Sequence, residues 1–483
     1  MSWLDITNAS MVWTLALFGS APLSANPGQN PSRADTKDTT SIMSQTQSSA
    51  DAVRDMAHKS SYGYEQVRFL SNSIGPRLTG SPQAAAAVTY VAQQMRALGL
   101  EVRLEPVTVR HWVRGREEAE LVRYPGQAEG TRQRILVTAL GNTVATPDEG
   151  ITAPLLVIES FVQLEELPAD QVKGKIVLFD SRLDDFAAEA GRWEQAYATA
   201  VQYRSNGPSQ AARKGAVATL VRSVGSGRFR LAHTGLTTFQ DGTRQIPAGA
   251  VPAEDAELMA ELAKEGAVEI HLVLTPRDLP SEQSYNVIAD LKGNQKSEEI
   301  VLVSGHLDSW DLGTGALDDA TGVGIAMDVV RIVKSVCPHP RRTIRFVGWM
   351  NEENGGAGGR AYAQAHASDL ANHVAAVEFD YGDGRPLALN VAGTDERVGA
   401  ISNVLHTIGD PIGGVLRVSD SPGSDLEPIN EAGVPAISPL QDARHYFDYH
   451  HSAADTFDKV RVDEMRRVVE VIAPLVYALA HPD

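Results

Sequence analysis

Five short stretches of the chain gather carboxylates and imidazoles. Ser304-Gly305-His306-Leu307-Asp308 sets an imidazole two positions before an acid, and Ala316-Leu317-Asp318-Asp319 and Asn351-Glu352-Glu353-Asn354 each pair two acids. Asp380 precedes the turn Gly382-Asp383-Gly384, and Tyr449-His450-His451-Ser452 pairs two imidazoles. Taken singly, each has an ordinary explanation: Asp318 or Asp319 can cap a helix, Glu352 and Glu353 can be solvated, and a lone histidine is more often structural than a ligand. Brought to one place, the acids would repel one another unless a counter-charge intervened. A pair of divalent cations removes that repulsion. Oxygen donors with two imidazoles and no thiolate suit zinc in a hydrolytic site, with manganese or cobalt as chemical substitutes. A dinuclear site, its metals roughly 3.5–4 Å apart, needs one carboxylate to bridge them. An acid beside a ligand is then free to hold the proton.

A parallel sheet would bring these stretches together. Residues 285–291 and 300–303 read as strands, 322–336 as a helix, and 343–349 and 374–379 as further strands. This alternation predicts an α/β fold, a mostly parallel mixed sheet flanked by helices, in which ligands bind beyond the carboxyl ends of the strands. The clusters follow those strands or sit in loops before helices. Upstream, the Ala-rich run 83–98 closed by Gly99 predicts a helix, followed by a strand at 101–107. From Tyr124 to about Pro280 the texture changes to short β-rich runs such as Leu155-Leu156-Val157-Ile158 and Ile176-Val177-Leu178-Phe179. This middle stretch reads as an inserted β-rich domain without a catalytic cluster, and 204–210 and 224–228 read as its surface loops. The domain plan is a catalytic domain of residues 53–120 and 283–483, interrupted by an insert of residues 121–282.

Composition narrows the function classes. The chain has 483 residues, 43% hydrophobic and 22% charged, which fits a folded protein of more than one domain. Its net charge of −18 would repel nucleic acid and anionic lipid. The single cysteine, Cys337, excludes an internal disulfide and any thiolate-based metal cluster. Residues 1–25 carry an apolar run at 11–19 followed by small residues, and read as a signal peptide for export to the periplasm or beyond. The run is too short to span a membrane, and the absence of Lys or Arg from residues 1–10 counts for the cytoplasm instead. Residues 26–52, rich in Ser, Thr, Gln and Asn, read as a disordered linker. Gly313-Thr314-Gly315 mimics a dinucleotide-binding turn, but Asp318 stands where the third glycine belongs. No phosphate loop, H-E-x-x-H helix or G-x-S-x-G elbow is present, which removes P-loop ATPases, zincin proteases and serine hydrolases.

The run His306-Leu307-Asp308-Ser309-Trp310-Asp311, with Leu317-Asp318-Asp319, Glu352-Glu353, Asp380 and His451-Ser452-Ala453-Ala454-Asp455-Thr456, resembles the co-catalytic zinc exopeptidases related to bacterial secreted aminopeptidases, and within them the carboxypeptidase branch. The likeness runs from about Tyr64 to the end, and Val172-Lys173-Gly174-Lys175-Ile176-Val177-Leu178 resembles a protease-associated domain. The resemblance implies two zinc ions per subunit, one held by His306 and Asp380, the other by Glu353 and His451, with Asp318 bridging. It implies Glu352 as the general base that takes a proton from the attacking water, Asp308 as the carboxylate that orients His306, and a cis Asp318-Asp319 bond. His451 is preferred to His450 because it directly precedes the Ser-x-x-Asp-Thr stretch; His450 would then stand behind it or against substrate. The substrate implied is a dipeptide or short peptide, and the association implied is a homodimer. An aminopeptidase of the same fold is the nearest alternative. Glutaminyl cyclisation with one zinc, or a receptor-like relative without catalysis, fits less well with five ligands and Glu352 all present.

Overall fold

The computed structural model describes residues 35–481 except 185, 188–191, 228, 411 and 419, and side chains from residue 47 onward. The signal-peptide reading of 1–25 lies outside the described residues. Contacts divide the chain into residues 1–43 and a compact unit from Ser44 to Asp483, which carries everything below. Residues 35–52, read from composition as linker, belong to a helix, Asp35–His58. The reason is local: Ala50, Val53 and Ala57 share one face of that helix and are buried. Among the described residues no helix is long and apolar enough to cross a membrane.

The strands among the described residues are β1 (Glu101–Val113), β2 (Glu117–Arg123), β3 (Gln133–Ile135), β4 (Thr138–Ala139), β5 (Ile151–Ile158), β6 (Ile176–Phe179), β7 (Ala218–Arg222) and β8 (Ala248–Val251), then β9 (Glu269–Leu274), β10 (Arg277–Leu291), β11 (Lys296–His306), β12 (Arg342–Trp349), β13 (His373–Glu378), β14 (Pro386–Ala392), β15 (Val415–Arg417) and β16 (Ala436–Gln441). They build two eight-stranded mixed sheets. The first has the order β1-β10-β12-β11-β13-β16-β14-β15. Its centre, β12-β11-β13-β16, is parallel, and antiparallel pairs flank it. The second has the order β3-β2-β9-β5-β6-β7-β8-β4, and all its strands lie in sequence between the paired strands β1 and β10.

Alternation explains the layering. Val301 and Val303 of β11 join one apolar cluster, with the helices Pro82–Ala97, Thr321–Val336 and Val462–Ala480. Ile300 and Leu302 join another on the opposite face, with Trp349, Tyr362 and Leu426. A sheet covered on both faces needs such period-two division of apolar side chains. Ser81 starts the helix Pro82–Ala97, its hydroxyl accepting from the Ala84 amide at 3.1 Å. β1 and β10 run further than their apolar segments indicate, because the first seven residues of β10 are exposed while backbone pairing continues to Val113 and Arg277.

The surface-loop reading of 204–210 is corrected, while 224–227 is a loop, with Val224 buried, and residue 228 lies outside the described residues. Arg204 ends the helix Trp193–Ser205, Gly207–Arg213 forms another, and Arg204, Ser209 and Val224 are buried. Asn206-Gly207-Pro208 does break the first helix, but a turn-forming composition does not fix exposure.

Candidate active site

The ends of the central strands deliver the predicted residues to one place. His306 is the last residue of β11, Glu352 and Glu353 follow β12, and Asp380 follows β13. Asp318 and Asp319 lie in a single wide helical turn, Ala316–Ala320, joined by a cis peptide bond. Close backbone approach makes this arrangement fit: a Cβ on Gly322 would meet the Phe379 carbonyl at 2.2 Å, and one on Gly305 would meet Asp319 Oδ2 at 2.8 Å. In the space so left, the Asp319 carboxylate accepts from the amides of His306 at 3.0 Å and Gly322 at 2.8 Å, which is the capping role.

The two oxygens of Asp318 face different partners. Oδ1 is 3.1 Å from His306 Nε2, which is itself 3.2 Å from Asp380 Oδ1. Oδ2 is 3.2 Å from His451 Nε2, which lies 2.9 Å from Glu353 Oε2. Donors at about 2.0–2.2 Å from a tetrahedral zinc stand roughly 3.3 Å from one another, so these spacings are those of ligands sharing a metal. Asp318 Oδ2 is buried and makes no hydrogen bond. Burial, with the charges of Asp380, Glu353 and Asp318, pushes the Glu352 carboxyl well above its ordinary range, and burial followed by Asp318 pushes Glu353 up to about 7. Such crowding of acids fits a site made for cations. The donor set therefore suits the expected group.

His450 also faces the bridging acid, Nε2 to Asp318 Oδ2 at 3.5 Å, and stacks on His451 with ring centroids 3.6 Å apart. Three-donor groupings of metal-binding type occur around both, His306-Asp318-Asp380 and Asp318-His450-His451. His451 has the better posture: its Nδ1 faces the Thr234 carbonyl at 3.2 Å, so that a proton there leaves Nε2 bare toward Asp318 and Glu353. His450 Nδ1 is buried without a hydrogen-bond partner.

The expectation for Asp308 is corrected. His306 Nδ1 donates to the backbone carbonyl of Asp308 at 3.0 Å, while its nearer carboxylate oxygen stands 3.9 Å off. The carboxylate instead accepts from the amides of Asn351 at 2.7 Å and Glu352 at 3.1 Å and from the Thr79 hydroxyl at 2.8 Å. It anchors the turn that carries Glu352. The physical reason is that β11 and β12 end side by side, so the residue two beyond β11 meets the second and third amides beyond β12.

Several residues around the site have roles that the sequence leaves unassigned. Asp455 accepts from the amides of Ala316, Leu317 and Asp318 at 2.7 to 3.2 Å and so fixes the bridging turn. Arg77, fully buried, donates to the carbonyls of Leu307, Gly75, Thr314 and Gly315 at 2.7 to 3.2 Å, tying together the loops that follow His306. Asp425, whose carboxylate is buried without a hydrogen-bond partner, lies against Glu378, which burial and then Asp380 push up to about 8. Nor is the middle stretch free of site residues: Tyr197, Arg204 and Leu236 line one wall of a cavity of about 290 Å³ whose other walls include Glu352, Glu353, Asp380 and His451.

Comparison with known proteins agrees with this arrangement. Residues 286–476 match the model of peptidase family M28. Human carboxypeptidase Q is 36% identical over 419 residues, covering 86% of this chain and 85% of that protein. An aminopeptidase of Bacillus subtilis is 23% identical over 89% of this chain and 86% of its own. The crystal structure of a peptidase M28 precursor from Shewanella amazonensis superposes with a TM-score of 0.85 at 35% identity, covering 91% of this chain and 98% of that one. A zinc aminopeptidase structure from Bacillus subtilis shares the fold, with a TM-score of 0.64 at 22% identity over 88% and 96% of the two chains. Likeness of this degree along nearly the whole chain, with the acid and imidazole cluster at the strand ends, establishes that the chain belongs to peptidase family M28 and is a metallopeptidase.

Proposed function

We propose that the chain is a zinc-dependent exopeptidase that hydrolyses dipeptides or short peptides at a site for two zinc ions. The observation that carries this reading is the pairing of each Asp318 oxygen with a separate imidazole and acid: His306 and Asp380 on one side, His451 and Glu353 on the other. These five residues would hold the metals. Bound zinc supplies Lewis acidity, polarising the scissile carbonyl and making water acidic enough to react near neutral pH. Glu352, held by its amide to Asp308 and lining the cavity, takes the proton of the attacking water and returns it to the leaving amine. We read the segment 121–282 as a protease-associated-like insert that walls the cavity and confines it to chain ends. The likeness to carboxypeptidase Q favours a carboxypeptidase or dipeptidase, and the likeness to an aminopeptidase supports the second reading.

One assay separates them: hydrolysis of an unblocked dipeptide, its N-acetyl form and an aminoacyl-anilide, with zinc and after chelation, using Glu352→Gln as control. Chelation-sensitive cleavage of the dipeptide but not the anilide is expected, with a loss of about 10²- to 10⁴-fold in the Gln variant. Rapid anilide cleavage makes the enzyme an aminopeptidase. Absence of metal-dependent cleavage of all three overturns the proposal.

A further inference from the structure

The cavity wall contributed by the second sheet's segment holds a charge that no acid among the described residues pairs with. Arg204 is the single Lys or Arg among the described residues lining the cavity. It is 6% exposed, and its partners are neutral: NH1 donates to the Thr234 carbonyl at 3.2 Å and NH2 to the Tyr197 hydroxyl at 3.0 Å. NH1 also lies 3.2 Å from His451 Nδ1, which faces the same Thr234 carbonyl. Nε is buried with no partner at all, and no carboxylate of the described residues pairs with the group.

A buried cation without an anion is costly, and elsewhere this chain avoids it. Arg222 meets Asp180 at 2.9 Å and Arg345 meets Asp290 at 2.8 Å. Arg77 also lacks an acid partner, but four backbone carbonyls within 3.2 Å fill its fork. Arg204 has five N–H donors, and at most three of them are engaged, by Thr234, Tyr197 and His451, with the guanidinium carbon 5.7 Å from the Tyr197 ring centroid. Its position is made by glycine: a Cβ on Gly235 would meet the guanidinium carbon at 2.3 Å.

Resting on the exopeptidase reading, we propose that Arg204 receives the free C-terminal carboxylate of the substrate, so that the segment between β1 and β10 selects unblocked chain ends. The reach fits. His451 Nδ1 lies 3.2 Å from the guanidinium and its Nε2 lies 2.9 Å from Glu353 Oε2, so guanidinium and acid cluster stand on opposite sides of one imidazole ring, a gap that one residue of about 3.8 Å with a hydrogen bond of about 2.9 Å at its carboxylate end can cross. A carboxylate one residue beyond the scissile carbonyl therefore comes to Arg204. The other charged residues of the wall, Asp318, Glu352, Glu353 and Asp380, are acids assigned to the metals or the attacking water, and none of their side chains offers that carboxylate a cationic donor. Planar guanidinium also matches a carboxylate with two parallel hydrogen bonds.

Binding in the zinc-loaded Glu352→Gln protein tests this without turnover. Calorimetry with the dipeptide Ala-Leu and its C-terminal amide should show the acid bound roughly 10- to 100-fold more tightly, the range of a charged hydrogen bond. Adding Arg204→Gln should remove that preference and leave the amide's affinity within about threefold, whereas Arg204→Lys should keep part of it. Zinc content, measured in each variant, reports whether His451 has been disturbed. Equal binding of acid and amide by the parent overturns the proposal with no substitution at 204 needed; so does an equal loss for both ligands in the Gln and Lys variants. Failure of the exopeptidase reading has a different signature, namely no metal-dependent cleavage by the protein with Glu352 intact.

Discussion

Replacing Asp308 separates two accounts of what a buried acid does beside a metal ligand. In Asp308→Ala, the amides of Asn351 and Glu352 and the Thr79 hydroxyl lose their acceptor in a region sealed from water, where Asp308 and Thr79 are 0% exposed. An unmade buried hydrogen bond costs about 1–3 kcal/mol, and the hydroxyl can turn elsewhere, so the two amides together account for about 3–5 kcal/mol. Asn351 adds to the strain of the released turn, because its φ of 77° is a left-handed conformation held by the bond to Asp308. Glu352 is the next residue, and a displacement of about 1 Å there lowers the rate on the order of 100-fold. Asp308→Asn is the decisive partner. Both amides bond the same oxygen, Oδ1, which the amide side chain retains, and its NH2 can donate to Thr79 Oγ1. Its expected cost is about 1 kcal/mol and less than tenfold in kcat/KM. Urea unfolding of both variants, steady-state kinetics and zinc affinity by competition with a chelator provide the measurements. If the carboxylate worked instead by raising the basicity of His306, the Asn variant would lose about 10- to 100-fold in zinc affinity, as substitutions behind metal ligands do. That result would refute the reasoning.

The choice between adjacent histidines is expected to resolve as loss of one zinc in His451→Ala and retention of both in His450→Ala, read by metal analysis after desalting. Titrating zinc into the chelated protein should raise its unfolding free energy until two equivalents are bound, by about 4 kcal/mol per site at a thousandfold excess over Kd, and a break at one equivalent would contradict the bridging role of Asp318. Away from the site, burial lowers His373 to about 4, and its ring bonds the Tyr362 hydroxyl at 2.7 Å. The unfolded chain, with an ordinary value near 6.5, binds more protons between those limits, so stability falls as pH drops from 6.5 to 4, by up to about 3 kcal/mol. In chelated protein, so that metal loss does not enter, His373→Gln should flatten that part of the urea-midpoint profile.

The legible part of this molecule is the part where local pattern and position coincide. Strands β11, β12 and β13 announce themselves by apolar alternation, and the residues that do chemistry sit directly after them, so His306, Glu352, Glu353 and Asp380 are found by reading past the end of each strand. Asp318 and Asp319 look equivalent in sequence and differ in space: one faces two imidazoles, the other caps the following helix. Nothing local could assign them, since the distinction depends on which acid meets His306 by side chain and which by backbone. Asp308 misleads for the same reason, its partners lying more than 40 residues downstream. Arg204 is harder still. It ends a helix of the second sheet's segment, next to turn-forming residues, and its burial depends on Thr234, Gly235 and His451 arriving from elsewhere.

Arg77 and Arg204 show how a buried cation can be sorted into structure or function by the donors it leaves unused. Arg77 comes from a loop before the first long strand and sits behind the acid cluster with its fork filled by carbonyls of residues 75, 307, 314 and 315, three of which flank His306 and Asp318. Its work is to hold those loops in register, and four of its five donors are already taken by backbone carbonyls. Arg77→Lys therefore keeps the charge but not the fork: one ammonium cannot serve carbonyls reached by Nε, NH1 and NH2 from different sides, and at least two would be left unbonded, at about 1–3 kcal/mol each. The expected result is a loss of about 2–4 kcal/mol in urea unfolding, with equal losses in kcat/KM for a dipeptide and its C-terminal amide, because the displaced loops serve both. A stable Arg77→Lys protein, or one that changed the acid-to-amide preference, would show that unused donors do not distinguish the two arginines.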